Sequence, residues 1–278
     1  MSFPQTSATA TATTATATAT STFIQLRAAY LDSTPRCAVS EFFGLYRQLR
    51  APFQALLDEV FAQPGAWSAF AVGPSSKCGH HCGPGGNLRH SVDVARLSLL
   101  LAADPVAEHL VDRDVLIVAA LAHDLGKALE YKSSVYGTKM SPLGRLVGHK
   151  FTGFGILWTS LHSVPGIGEH QRLALLHCLS CSPQGAFCGA RGPACLEAQI
   201  VHHADQFSAS SNLFSASLAA SRSDAGFGVR HDHQRETPYH VKPRSPVIPH
   251  AATCAQDAPR LSVHQRMRNA VAKASSQH

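Results

Sequence analysis

His123 and Asp124 stand side by side in "AALAHDLGK", directly after four apolar residues and just before a glycine. Burying an imidazole and a carboxylate without partners is expensive, so an apolar helix that ends on both is expected to give them one. An imidazole nitrogen and a carboxylate oxygen from neighbouring positions can grip one divalent ion from a helix end. Two further groups of the same kind lie on other apolar helices. His90 follows a Gly-rich loop near the start of "LRHSVDVARLSLLLAA", and Asp205 sits in "LEAQIVHHADQFSAS" beside Ala, Ile and Val. Each of these residues taken alone is as readily a hydrogen-bonded core group. The set His90, His123, Asp124 and Asp205, spread over three helices, is what a helical metal site needs, with positions left for water and phosphate.

Those helices can be read from periodicity. "EFFGLYRQLRAPFQALLDEVFAQ" places Phe42, Leu45, Leu49, Phe53, Leu56 and Phe61 near one face, with Pro52 either starting a new helix or kinking this one. A polar loop, "GPSSKCGHHCGPGGN", follows, and Asn87 is the expected N-cap of the next helix. "DRDVLIVAALAHDLGKALEY" reads as a buried helix ending at Gly126. "SPLGRLVGHKFTGFGILWTSLH" reads as one helix opened by Ser-Pro. "EHQRLALLHCLS" is another, and "ACLEAQIVHHADQFSASSNLF" is the last strong one, after a Cys/Gly/Pro-rich loop over residues 181–194. No segment reads as a strand and no repeat is present. The expected fold class is an all-α helical bundle. Residues 23–220 form the expected folded domain, after a charge-free Ala/Thr leader at 1–22 and before a basic, Pro/His/Arg-containing tail at 221–278; both ends are expected to be disordered.

Composition narrows the classes. Only 15% of the 278 residues are charged, below the quarter or so usual for a soluble domain. The net charge is +6. From Ser221 onward nine Lys/Arg stand against four Asp/Glu, so the tail carries +5 of it. Such a tail can touch a polyanion or simply be solvated. The start lacks a basic region followed by an apolar one, and no run of about 18 apolar residues occurs, so neither secretion nor a membrane span is expected. The expected compartment is the cytoplasm, with reduced thiols. Eight cysteines are too irregular for a disulfide scaffold. Cys178, Cys181, Cys188 and Cys195 surround one loop, either as a structural zinc site or as free thiols.

Four blocks, in order, carry a resemblance. "HHCGPGGNLRHSVDVARL", "ALAHDLGKALEY", "SPLGRLVGHKFTGFGIL" and "LEAQIVHHADQFSAS" resemble successive segments of the HD-domain metal-dependent phosphohydrolase superfamily. Within it they are most similar to the HD domain of YhaM-type 3′–5′ exoribonucleases. The similarity runs over about residues 50–210. It implies an HD-domain helical bundle with metal ligands at His90, His123, Asp124 and Asp205. It suggests His149 as a contact to a second metal or to phosphate, Lys127 as a cation for a phosphate oxygen, and His80 and His81 at the substrate entrance. The implied cofactor is one or two divalent ions, Mn²⁺, Mg²⁺ or Fe. The implied chemistry is phosphoester hydrolysis, with a metal-activated water, charge stabilisation by the metal and Lys127, and Asp124 or a nearby His orienting or deprotonating the water. Catalytic roles therefore fall to Asp124, Lys127 and His149, and the implied substrates are nucleotides or the 3′ ends of single-stranded nucleic acid.

Two departures bear on that chemistry. The family's usual Ser-His-His-Gly is replaced by "HCLSCSPQG", which puts Ser180, Cys181 and Ser182 there. His177 or Cys181 can substitute as a ligand; otherwise the second metal is weakened or lost, leaving one metal or a member without turnover. The nucleic-acid-binding OB domain that precedes the HD domain in those exoribonucleases is also replaced by the leader and a helical segment. "GHHCGPGGNLRHSVDVA" additionally resembles the HD domain of TraI-type relaxases of conjugative elements. The alternative function is therefore a nucleic-acid-binding accessory protein of a conjugative or integrative mobile element.

Overall fold

The computed structural model describes residues 36–134, 137–182, 190–220, 227–230, 234 and 236–240. The expected leader at 1–22, the beginning of the 23–220 domain and most of the 221–278 tail lie outside these residues. Among the described residues the fold is all-α apart from one small hairpin and one isolated bridge, Phe227 to Tyr239.

Helix α1 (Arg36–Tyr46) and α2 (Ala51–Val60) are separate. Pro52 sits in the first turn of α2, where no N–H is needed. Helix α3 spans Ala66–Val72. Phe42, Phe61, Trp67 and Phe70 of this region form a ring cluster, with Phe42 and Trp67 centroids 4.8 Å apart. Helix α4 (Gly86–Ala102) then runs beside α5 (Arg113–Ala122). Every residue of α5 from Asp114 to Ala122 is buried, as expected of a helix that is apolar all round. Its start is fixed by Asp112, whose carboxylate accepts from the Asp114 and Val115 N–H groups. After α6 (Lys127–Glu130) come strands β1 (Tyr131–Ser134) and β2 (Gly137–Met140), then α7 (Pro142–Leu146), α8 (His149–Ser163), α9 (Glu169–Ser180) and α10 (Leu196–Ala220). Helices α4, α9 and α10 all pack on α5, so α5 is the axis of the bundle.

Four expectations change. The helix through the His-Asp pair stops at Ala122, not Gly126. His123 Nδ1 donates to the Ala120 carbonyl at 2.8 Å, taking the acceptor that a continuing turn would offer to the Asp124 N–H. The chain then tightens into i→i−3 bonds, Leu125 N to Ala122 O and Lys127 N to Asp124 O. Asn87 does not cap α4. Gly85 occupies that position at φ +74, and the N–H groups of Gly85 and Asn87 are satisfied by the Val72 and Gly73 carbonyls, so no side-chain cap is required. The Ser-Pro helix is two helices, broken at Gly148 with φ +81, although Ser141 caps α7 as read, accepting from the Gly144 N–H. The hairpin, with Tyr131 opposite Met140, is invisible to pattern reading because four-residue strands of Tyr, Lys, Ser, Gly, Thr and Met carry no apolar alternation.

Gly126 marks where this fold becomes a site. A Cβ there would lie 2.0 Å from the His149 carbonyl oxygen and 2.7 Å from the Gly153 N. The Thr152 hydroxyl, which is also in the way, can rotate aside, but the two backbone atoms cannot. Gly126→Ala is therefore expected to destabilise the protein by about 1–3 kcal/mol or more. Urea denaturation reads this as a lowered midpoint; an unchanged midpoint sinks the close-approach argument.

Candidate metal centre

The end of α5, the beginning of α4 and the middle of α10 meet beside the turn His123–Gly126. His90 Nε2 and His123 Nε2 face one another at 3.3 Å. Asp124 Oδ2 lies 3.4 Å from His90 Nε2 and 3.3 Å from His123 Nε2. Asp205 Oδ1 lies 3.0 Å from His90 Nε2 and 3.8 Å from His123 Nε2. Among the described residues, His90, His123 and Asp124 are the group whose ligand atoms fall within 4.8 Å of one another, and Asp205 closes the set from α10. The four residues predicted from sequence are thus brought together.

Both imidazoles are oriented by a second contact, the arrangement that fixes a metal-binding imidazole. His123 Nδ1 is committed to the Ala120 carbonyl, so Nε2 is the atom presented. His90 Nδ1 lies 3.1 Å from Ser208 Oγ, which likewise turns Nε2 inward. His90 is fully buried and Asp124 is 5% exposed. Asp124 Oδ2 is buried and makes no hydrogen bond of acceptable geometry, although Lys127 Nζ stands 2.5 Å away. A carboxylate crowded by donors at poor angles, with two imidazole nitrogens aimed at the same point, fits a divalent cation.

The electrostatics agree with the geometry. Burial pushes the Asp124 carboxyl upward, but Lys127 and then His123 hold it well below its ordinary value. Burial likewise works against the Asp205 charge, yet the hydrogen bond to His90 and the nearby His123 bring it down to about 2. Burial lowers the His90 value, keeping a neutral ring with a free lone pair. At His123, burial is overcome by the Asp124 charge and the shift is upward; the two carboxylates draw positive charge to this point.

The remaining predicted residues divide. His149 stands at the cleft with Nε2 3.7 Å from Asp124 Oδ1. Its Nδ1 and its backbone N–H both meet Glu130 Oε2 at 2.7 Å. Lys127 lines the cleft but is buried between Asp124 and Ser75 Oγ, 3.1 Å away. Its charge is therefore directed at Asp124 before any phosphate. His80 lines the cleft; burial and then the neighbouring His90 lower it to about 4. His81 is not at the entrance. It is buried behind His90, with its N–H donating to Asn212 Oδ1 at 2.9 Å and Nε2 3.5 Å from Ser208 Oγ. Cys181 lines the cleft and His177 does not, its Nε2 accepting from the Ala194 N–H at 2.8 Å. Cys178, Cys181 and Cys195 do not come together as a metal group; the Cys178 and Cys195 thiols are hydrogen-bonded to one another. Cys188 lies outside the described residues.

Five further residues belong to the site and were not singled out by sequence. Ser75, Glu130 and Ser208 hold ligands or their neighbours, and Lys150 and His202 line the cleft. His202 carried a usable signal, since it precedes Asp205 by three positions and so shares its helix face. The cleft is about 160 Å³, which at roughly 15 Å³ per water accommodates a phosphoryl group together with an attacking water.

Residues 87–210 match the HD domain family. A stretch of 155 residues is 30% identical to the 3′-5′ exoribonuclease YhaM of Bacillus pumilus (strain SAFR-032). That stretch is 54% of this chain and 46% of the relative, so the match spans about half of each. No solved structure matches the chain. Among the described residues no helix is long and apolar enough to cross a membrane.

The orienting role of Ser208 is testable apart from any activity. Ser208→Ala removes the partner of His90 Nδ1 and is expected to weaken Mn²⁺ binding about 10–100-fold, with the helical circular dichroism unchanged. Calorimetric titration measures it; wild-type affinity in the variant removes Ser208 from the centre.

Proposed function

We propose, on the premise that residues 87–210 are an HD domain, that this protein hydrolyses phosphoester bonds of nucleotides or of the 3′ ends of single-stranded nucleic acid. The coarser activity, metal-dependent phosphohydrolysis, is supported by the match of residues 87–210 to the HD domain family. The observation that carries the finer reading is the convergence of His90, His123, Asp124 and Asp205 on one point beside an open, lysine-lined cleft. The nucleic-acid end of the reading is supported by the relative named as an exoribonuclease.

The four converging residues would hold the ion, for which Mn²⁺, Mg²⁺ or Fe suits the His and carboxylate donors. A bound divalent ion supplies a water acidic enough to attack at neutral pH and neutralises charge on phosphoryl oxygens. The chain does the rest. Lys127 keeps Asp124 ionised from 2.5 Å. Glu130 accepts a hydrogen bond from His149 Nδ1–H, leaving Nε2 to take or give a proton at a phosphate or leaving-group oxygen in the cleft. The Lys150 ammonium, at the cleft wall, donates to the Cys181 carbonyl at 3.4 Å and faces the space an anionic substrate would enter.

One observation favours the alternative of a nucleic-acid-binding accessory protein without turnover. Cys178 and Cys181 line the cleft in the region where the resemblance calls for a histidine pair, and neither joins a metal-ligating group among the described residues.

Elemental analysis of the purified protein, followed by Mn²⁺-dependent hydrolysis of bis-p-nitrophenyl phosphate, separates the two. Wild type is expected to hold about one or two ions per chain, and Asp124→Ala to lose both metal and turnover. His149→Ala is expected to keep the metal and lose about 10²–10⁴-fold in kcat. Metal without hydrolysis moves the conclusion to the accessory protein; a wild type that takes up no metal under any loading overturns the centre itself.

A further inference from the structure

The segment from Tyr131 to Gly168 contains no aspartate or glutamate, although the chain has 18, and it carries Lys132, Lys139, Arg145 and Lys150. It is also the segment that supplies His149 to the centre. Its main element is α8, and the positions Lys150, Phe154, Trp158 and His162 recur every fourth residue, placing them along one helix face. Lys150 lines the cleft. Phe154 and Trp158 are stacked, with ring centroids 6.1 Å apart and planes 18° from parallel. Trp158 and His162 are 4.7 Å apart, and the His162 ring is held there by Nδ1 donating to the Trp158 carbonyl at 2.7 Å.

Phe154 packs partly against the core, while the Trp158 and His162 rings lie at the surface. Trp158 is 41% exposed, and Phe151, next to Lys150 in the first turn of the same helix, is 63% exposed. Between them Gly155 has open space where a side chain would be.

We propose that this face of α8 is a track for single-stranded nucleic acid, with bases stacking on Trp158 and Phe151 and the terminal phosphodiester reaching the cleft past Lys150. The inference rests on the phosphoester reading above and names its substrate as a polynucleotide. Sequence-tolerant single-strand binding combines planar side chains that take base faces with cations that follow the backbone. This segment supplies both, and it lacks the carboxylates that would repel a polyanion. From Lys150 to His162 the face runs about 18 Å at 1.5 Å per residue, room for a few nucleotides. A protein partner would also cover exposed rings, but the acid-free composition and the continuity with the cleft favour a polyanion whose end is processed there.

Fluorescence anisotropy of a labelled eight-nucleotide RNA, and of its DNA equivalent, tests the track on the full chain, beside hydrolysis of bis-p-nitrophenyl phosphate by the same samples. Trp158→Ala is expected to weaken oligonucleotide binding about ten-fold or more while small-ester hydrolysis stays within two-fold. Trp158→Phe should restore most of the affinity, and Phe151→Ala should lose several-fold. If wild type binds the oligonucleotide in a Trp158-dependent way but hydrolyses nothing, the track stands and the enzymatic reading fails. If wild type hydrolyses the small ester but oligonucleotide affinity is absent, or is indifferent to Trp158 and Phe151, the track is overturned and the phosphohydrolase survives. If Trp158→Ala instead dissolves a dimer in sedimentation without changing oligonucleotide affinity, the face is a protein contact and the track is likewise overturned.

Discussion

A carboxylate with 5% of its surface exposed sits at the end of the most buried helix of the bundle. An ionised Asp in such a place is costly unless cationic or donor groups surround it. Around Asp124 they come from three directions: Lys127 from the following turn, His123 from the preceding residue, and His90 from the neighbouring helix. Helix α5 ends just before this cluster, and Lys127 comes within 2.5 Å of the carboxylate by the i,i+3 spacing that a helix and a tight turn both allow. The bend is fixed by the commitment of His123 Nδ1 to Ala120 and by the close approach of Gly126 to His149.

The rest of the bundle holds this cluster through small polar residues that reach two members at once. Ser208 contacts both His90 and His81. Ser75 joins Lys127 and His80, and Glu130 grips His149 by both ring and backbone. Each is buried, so each hydrogen bond is formed in a low dielectric and is correspondingly costly to leave unmade. Gly86 plays the same part for the loop, since a Cβ there would stand 1.8 Å from the His81 carbonyl oxygen. The histidine pair before α4 is therefore pressed against His90 by backbone packing, with His81 held at φ +47.

His90, His123, Asp124 and Asp205 are legible in the sequence because a polar group that interrupts an apolar helix must find a partner inside the bundle. The residues that steady them are not. Ser208 is 118 positions from His90, and a serine on a helix gives no sign of what it faces until the helices are docked. His81 and His177 show the converse. Both are plausible donors by residue type, but one lies behind the ligand it was expected to accompany, and the other is occupied by a backbone N–H across a loop. The helix boundaries failed at two turns. Pattern reading ends the helix through the His-Asp pair at Gly126, whereas it stops at Ala122, and it runs on through Gly148, where a φ of +81 separates two helices.

The balance of charge around the cleft explains why a cation and an acid-free neighbour belong together. Asp124, Asp205 and Glu130 contribute three negative charges near the point where a phosphate would react, and Lys127 and Lys150 contribute two positive ones. Counting these carboxylates and lysines alone, an approaching phosphoryl group meets a net negative charge. A divalent ion reverses that sign, and such an ion is commonly the largest local charge in a site. The reversal is local, because ions in solution screen it within about 8–10 Å. Beyond that distance a polyanionic substrate depends on whatever lines its approach. An approach over Tyr131–Gly168, which has four lysines and arginines and no carboxylate, extends the favourable field past the reach of the ion. On the proposed reading helix α8 serves both ranges: it presents His149 at the reacting end, and its outer face carries the rings of Phe151 and Trp158 behind Lys150, its one lysine or arginine.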